Sequence, residues 1–134
     1  MGSAREDGLA LLREMIPEII DTGTGQMQTG DGFAAGLGEQ SLEMVFGRLW
    51  TRPGLDRRSR SLVTLGILIA LRAEGELRFH FPIGLRNGLT REELEEVVYH
   101  AAGYAGFPAA SIASRVGREV LDKPDSLGEP EAME

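Results

Sequence analysis

Asp56-Arg57-Arg58-Ser59-Arg60-Ser61-Leu62-Val63-Thr64-Leu65-Gly66-Ile67-Leu68-Ile69-Ala70-Leu71 is the stretch that decides the architecture. Asp56 is a good N-cap, because its short carboxylate can accept from amides that a helix start leaves unbonded. From Leu62 onward the apolar residues fall almost all round a helix instead of along one stripe, as a helix surrounded by others requires. The reading is a central helix, with Leu62 to Leu71 expected to be the most buried helix of the fold, and Gly75 is available to close it. Arg52, Arg57, Arg58 and Arg60 crowd its beginning. Cations there oppose the helix dipole at a cost of some tenths of a kcal/mol. Nearby carboxylates, a second subunit or an anionic ligand can compensate them, and a solvated charged face is the commoner explanation.

Outward from this helix the pattern stays helical. Glu6 to Asp21 carries Leu9, Leu12, Met15, Ile16, Ile19 and Ile20 at spacings of three and four, with Pro17 placed to kink or divide it. Thr22 to Gly38 is glycine-rich and reads as a loop; it follows no strand, so a phosphate cradle is not expected. A second helix carries Leu42, Val45, Phe46 and Leu49 and ends before Thr51-Arg52-Pro53-Gly54. A fourth runs from Glu76 to Asn87 with Pro82 inside and Gly88 after it. The fifth has the clearest start in the chain: Thr90-Arg91-Glu92-Glu93 is a capping box, flanked by Leu89 and Leu94 as a hydrophobic staple. Its inner face is Leu94, Val97, Val98, Ala101 and Ala102. Pro108 suits the first turn of a sixth helix with Ile112, Val116 and Val120 facing in. No useful length alternates with period two, so the expected fold is all-α, with about six helices.

The 134 residues suffice for one domain, and the reading is a single helical domain over 1–121 with an acidic, disordered tail over 122–134. Five acids and one base give that tail −4 of the total charge of −7. So nearly balanced a body suits neither nucleic acid nor an anionic membrane as partner. The chain has no cysteine, which excludes disulfides, thiolate metal sites and thiol nucleophiles. No run is long and apolar enough for a membrane span and no secretory leader is visible, so the cytoplasm is the expected location. Neither a metal nor a cofactor is expected.

The two histidines, His80 and His100, both fall on predicted helices. Glu76 precedes His80 by four residues, one turn away on the same face. A carboxylate so placed can orient the imidazole and raise its pKa, which suits a general acid near neutral pH. An exposed pair worth a few tenths of a kcal/mol has the same spacing. Trp50, Phe79, Phe81, Tyr104 and Phe107 are candidates either for a pocket or for the core.

Phe46 to Leu62, reading Phe46-Gly47-Arg48-Leu49-Trp50-Thr51-Arg52-Pro53-Gly54-Leu55-Asp56 and on into the central helix, resembles the corresponding segment of the carboxymuconolactone decarboxylase family. Glu76-Leu77-Arg78-Phe79-His80, followed by Asn87-Gly88-Leu89-Thr90-Arg91-Glu92-Glu93, is similar to that family's active-site helix and the next helix start. Tyr104-Ala105-Gly106-Phe107-Pro108-Ala109-Ala110 resembles its closing motif. The match runs in order and without gaps from about Phe46 to Leu121. The resemblance implies an all-helical subunit that assembles into trimers or hexamers, with active sites near subunit contacts.

The family's redox branch, the alkylhydroperoxidase D type, has a glutamate, a Cys-x-x-Cys pair and a histidine. In this chain those places hold Ser61, Ala73, Glu76 and His80, so the peroxidase chemistry is excluded with its nucleophile. The decarboxylase branch commonly reads His-Ile-Arg where this chain has His80-Phe81-Pro82, so an arginine that suits a carboxylate is replaced by proline and the pocket is reshaped. The expected function is a cofactor-free lyase acting on a small lactone or enone-type carboxylate. Its expected catalytic pair is His80 and Glu76, and its substrate-binding candidates are Arg52, Arg60, Trp50, Tyr104 and His100. An isomerase, dehydratase or cyclase on the same scaffold, or a non-catalytic helical oligomer that binds a ligand, remains the alternative.

Overall fold

The computed structural model describes residues 2–28 and 30–122; the expected tail lies almost wholly outside them. The chain divides into two compact units, residues 1–57 and 58–134. Among the described residues the regular structure is helical, apart from an isolated antiparallel bridge between Ile20 and Met27.

In the first unit, α1 spans Ala4–Met15 and a 3-10 turn follows over Pro17–Ile19, so Pro17 divides the expected helix. The start of α1 is a capping box: the Glu6 amide donates to Ser3 Oγ at 3.1 Å and the Ser3 amide donates to Glu6 Oε1 at 3.1 Å. Apolar spacing places the start of this helix later, whereas Ser3-x-x-Glu6 marks it directly. Next, α2 covers Leu37–Ser41 and runs on as a π-helix, Leu42–Leu49. This π-helix packs on α1 at very close range. A Cβ on Gly8 would sit 2.5 Å from the Leu42 carbonyl oxygen, and one on Gly47 would overlap the Ala4 carbonyl. Glycine is the residue that lets two helix backbones approach so far.

The second unit holds α3 (Arg57–Leu71, whose first residue ends the other unit), α4 (Glu74–Arg86), α5 (Arg91–Ala105) and α6 (Phe107–Leu121). Both α4 and α5 pack on α6. Leu65, Ile69, Leu77, Phe81, Leu89, Leu94, Ala109, Ala113 and Val116 form the core between them. The capping box of α5 is present: the Glu93 amide donates to Thr90 Oγ1 at 3.0 Å, and the Thr90 amide donates to Glu93 Oε1 at 2.9 Å. Leu89 and Leu94 enter the same core, as a staple should. Gly88, at φ 103°, ends α4 with the Leu89 amide donating to Gly84 O and the Gly88 amide to Leu85 O, the bond pair of a Schellman cap.

Two expectations about α3 fail. The helix does not close at Gly75, which lies inside α4. Arg72 takes the left-handed position instead, at φ 57°, with Ala73 N donating to Leu68 O and Arg72 N to Ile69 O. Nor is Leu62 to Leu71 the most buried helix, or buried all round. Leu65 and Ile69 are sealed, whereas Val63, Ile67 and Leu71 are 53%, 53% and 69% exposed. The helix offers one stripe to the core of its unit, and α4 buries more of its residues: Leu77, His80, Phe81, Ile83 and Gly84.

Candidate active site

The second unit contains an open groove of about 820 Å³ between α3 and α5. Its α3 wall is Arg58, Leu62, Gly66 and Ala70, four residues apart and therefore one face of the helix. Two of these are small, and a Cβ at Gly66 would meet nothing within 4 Å, so the wall recedes and the space stays open. Facing it, α5 contributes Glu93, Glu96, His100 and Tyr104, with Val97 and Ala101 lower on the same face. His100 and Tyr104 stack with ring centroids 5.2 Å apart. At the mouth Arg58 Nη2 donates to Glu93 Oε2. The backbone amide of Thr90 is the main influence holding the Glu93 carboxyl below its ordinary range, and Arg58 adds to it. The capping box thus fixes a carboxylate that in turn holds a guanidinium at the edge of the groove.

His80 lies in a different setting. It is 7% exposed, on the buried face of α4 between Leu77 and Phe81, and lines neither this groove nor the smaller one between α5 and α6. Its Nδ1 is enclosed and makes no hydrogen bond among the described residues, while the residue has further interactions of its own. Burial pushes the imidazole down to a pKa of about 4, so the ring is neutral at pH 7. The sequence-based expectation of a raised value is reversed, because Glu76 is exposed and joins no hydrogen bond or ion pair among the described residues. Helical spacing puts the two on neighbouring positions, but one side chain turns to solvent and the other into the core.

Of the other predicted substrate contacts, the groove gathers His100 and Tyr104. Arg60 is half-buried in the second unit; Trp50, buried, and Arg52, exposed, belong to the first. Arg52, Arg60 and Trp50 each have interaction partners. The arginine cluster is partly compensated within the chain, by the Arg57 pair with Glu14 and the Arg58 pair with Glu93. Arg58, Glu93 and Glu96 are groove residues that the sequence reading did not select for a site. One signal for them was available: Glu96 and His100 repeat the four-residue spacing of Glu76 and His80. Ser61, the position of the redox branch's glutamate, is buried, and its Oγ accepts from Asn87 Nδ2 at 2.9 Å.

A helix carrying Glu-Leu-x-x-His, then a capping box and a Tyr-Ala-Gly-Phe-Pro turn into α6, defines an all-helical unit without thiols. Residues 35–119 match the Carboxymuconolactone decarboxylase family, and the chain belongs to that family. It is 47% identical over 77 residues to the 4-carboxymuconolactone decarboxylase of Acinetobacter baylyi, a match covering 58% of each chain. It is 41% identical over 87 residues to the nitrosuccinic acid decarboxylase of Metarhizium robertsii, covering 65% of this chain and 61% of the relative. An uncharacterized 15.0 kDa protein of Paracoccus denitrificans is 33% identical over 86 residues, 63% of this chain and 64% of that one. The chain thus spans about three-fifths of the length of the curated relatives it matches.

Proposed function

We propose that this chain is a cofactor-free decarboxylase of small lactone or enone-type carboxylates, with the neutral imidazole of His80 as hydrogen-bond donor to the charge that develops. The observation that carries the reading is a buried, neutral imidazole at the histidine of the family's Glu-Leu-x-x-His helix. The two named relatives remove a carboxyl group from molecules that share an electron sink, an unsaturated lactone in one and a nitro group in the other. In the lactone, loss of carbon dioxide sends the bonding pair through the double bond onto the carbonyl oxygen and leaves a dienolate. Such a reaction needs a hydrogen-bond donor at that oxygen and a dry surrounding for the departing carboxylate. A neutral imidazole held in a dry site donates its N–H to a developing oxyanion, and its depressed pKa keeps it from binding a proton that water would have to supply. His80 takes this donor role here, with Glu76 the carboxylate one turn before it. Arg52, Arg60 and Trp50 are candidates for holding the substrate.

A homo-oligomer, a trimer or hexamer in the family manner, is part of this reading. The exposed apolar residues Val63, Ile67 and Leu71 on one face of α3, with Phe107 76% exposed, support it, since large apolar patches on a protein surface mark places of association. Light scattering should give a multiple of 14.5 kDa; the monomer mass at micromolar concentration would refute it. We place the protein in the cytoplasm, in keeping with the absence among the described residues of any helix long and apolar enough to cross a membrane.

The deciding experiment offers 4-carboxymuconolactone and nitrosuccinate to the protein and measures carbon dioxide. Wild type should release it, and His80→Ala should lose about 10²- to 10⁴-fold in kcat with its circular dichroism unchanged. A product of unchanged carbon count would favour an isomerase, dehydratase or cyclase. No turnover and no effect of the substitution on ligand binding would favour a binding oligomer.

A further inference from the structure

His80 does not line the groove, and the groove has chemistry of its own. Along α5 its wall presents Glu93, Glu96, His100 and Tyr104. The seven steps from Glu93 to His100 rise about 10 Å at 1.5 Å per residue. At one end Arg58 gives one nitrogen to Glu93, and a guanidinium has five N–H donors, so others remain for a ligand. In the middle the α3 wall is apolar and low. At the far end stands an exposed imidazole stacked on a phenol, with Glu96 one turn before it. An anion-binding end, an apolar bed and a proton donor about 10 Å along α5 suit a small carboxylate with an unsaturated body.

We propose that this groove receives the substrate's retained carboxylate at Arg58 and that His100 returns the proton to carbon after carbon dioxide has left. The inference rests on the decarboxylase reading for the identity of the substrate and not for the role of His80, which does not line the groove. Arg58 serves the carboxylate that stays, because a guanidinium on the departing one would stabilise the ground state. The step balances simply. The carbon–carboxyl bond breaks and carbon dioxide departs. Its electron pair rests on the sink oxygen, then returns to form a carbon–hydrogen bond with a proton delivered by the His100 ring. Exposure of His100 lets water restore that proton, so one proton is consumed per turnover. Glu96 is a positioning residue, one turn away on the groove face of α5. His100 is thereby a catalytic residue on an element distinct from that of His80.

The test separates this inference from the reading beneath it. Muconolactone, which keeps a carboxylate and has none to lose, serves as the non-reacting probe, followed by NMR of the imidazole signals. Muconolactone should move the His100 signals at millimolar concentration, and Arg58→Gln should weaken that binding about tenfold or more. With 4-carboxymuconolactone, Arg58→Gln should raise KM with kcat nearly kept. His100→Gln should lower kcat about 10²-fold with KM kept. Glu96→Gln should lower kcat severalfold, and the double variant should lose no more than His100→Gln alone, as coupled groups do. Shifts at His100 without any turnover would leave the site standing and sink the decarboxylase reading. Unmoved His100 signals, or wild-type kinetics in His100→Gln, would overturn the inference while decarboxylation survives. A change of mass on Tyr104→Asp, with kinetics intact in His100→Gln, would instead show that a second copy covers the groove.

Discussion

Glu76 to His80 on α4 and Glu96 to His100 on α5 are the same sentence written twice: a glutamate, three residues, a histidine. On α4 the histidine is 7% exposed and pushed down to about 4; on α5 it stands in an open groove beside a tyrosine. Spacing settles only that both members of a pair share a helical face. Which face meets the core is settled by the other residues, Leu77, Phe81 and Ile83 around the first pair and Glu93 and Tyr104 around the second. The buried ring suits a neutral hydrogen-bond donor. The exposed ring suits a proton carrier that water can recharge.

The contrast breaks first, and most visibly, on packing. Leu77 is fully buried beside His80, whereas Val97 is half-buried under the groove. Leu77→Ala should cost about 2–5 kcal/mol in urea unfolding, and Val97→Ala about 1 kcal/mol. Equal losses would mean that the groove is packed as firmly as the core and is no binding space.

Acid should then separate the two rings. The folded pKa of His80 is about 4 against about 6.5 unfolded. Between those values the unfolded chain binds the extra proton, so stability rises with pH. The contribution is complete above about pH 6.5 and lost as pH falls through 4, at most about 3 kcal/mol. His80→Gln should flatten this part of the stability curve, and His100→Gln should leave it in place. An unaltered acid slope in His80→Gln would show that the ring is not desolvated.

The helix starts give a smaller effect. The first residue of the α5 cap, Thr90, serves both its own helix and, through Glu93, Arg58 at the groove. The N-cap of α4, Ala73, makes no side-chain cap bond. Thr90→Ser should therefore keep stability, while Thr90→Ala loses about 1 kcal/mol and weakens muconolactone binding with it. A variant of full stability and affinity would detach the cap from the site.

Much of the fold was legible because local chemistry agreed with tertiary packing. The box at Thr90, the glycine at 88 and the proline at 17 act where the sequence puts them. Arg72 was not legible: a non-glycine residue in the left-handed region is held there by neighbours, and Gly75 three residues on was the better local guess. The exposure of Val63, Ile67 and Leu71 was hidden for another reason. An apolar residue reads alike whether it faces a core or a surface awaiting cover. Of the site, the histidines and Tyr104 could be chosen by type, whereas Arg58 is singled out from four crowded arginines only once α3 and α5 lie side by side.

The smallest expected effect bears on the pair from which the functional reading began. Glu76 is exposed and bonded to nothing among the described residues, and desolvation is the cause of the His80 shift. A solvated carboxylate one turn away is screened by water, and exposed pairs of this kind contribute a few tenths of a kcal/mol at most. Removing its charge should then leave His80 titrating near 4, within about 0.3 of wild type on that energy scale. NMR titration of Glu76→Gln measures this directly. A fall of a full unit would mean that Glu76 turns inward and holds charge on the ring, restoring the acid pair. An unmoved titration joined to a large loss of kcat would give Glu76 a role toward substrate alone. With both unmoved, His80 acts by burial, and α4 needs no carboxylate to make it work.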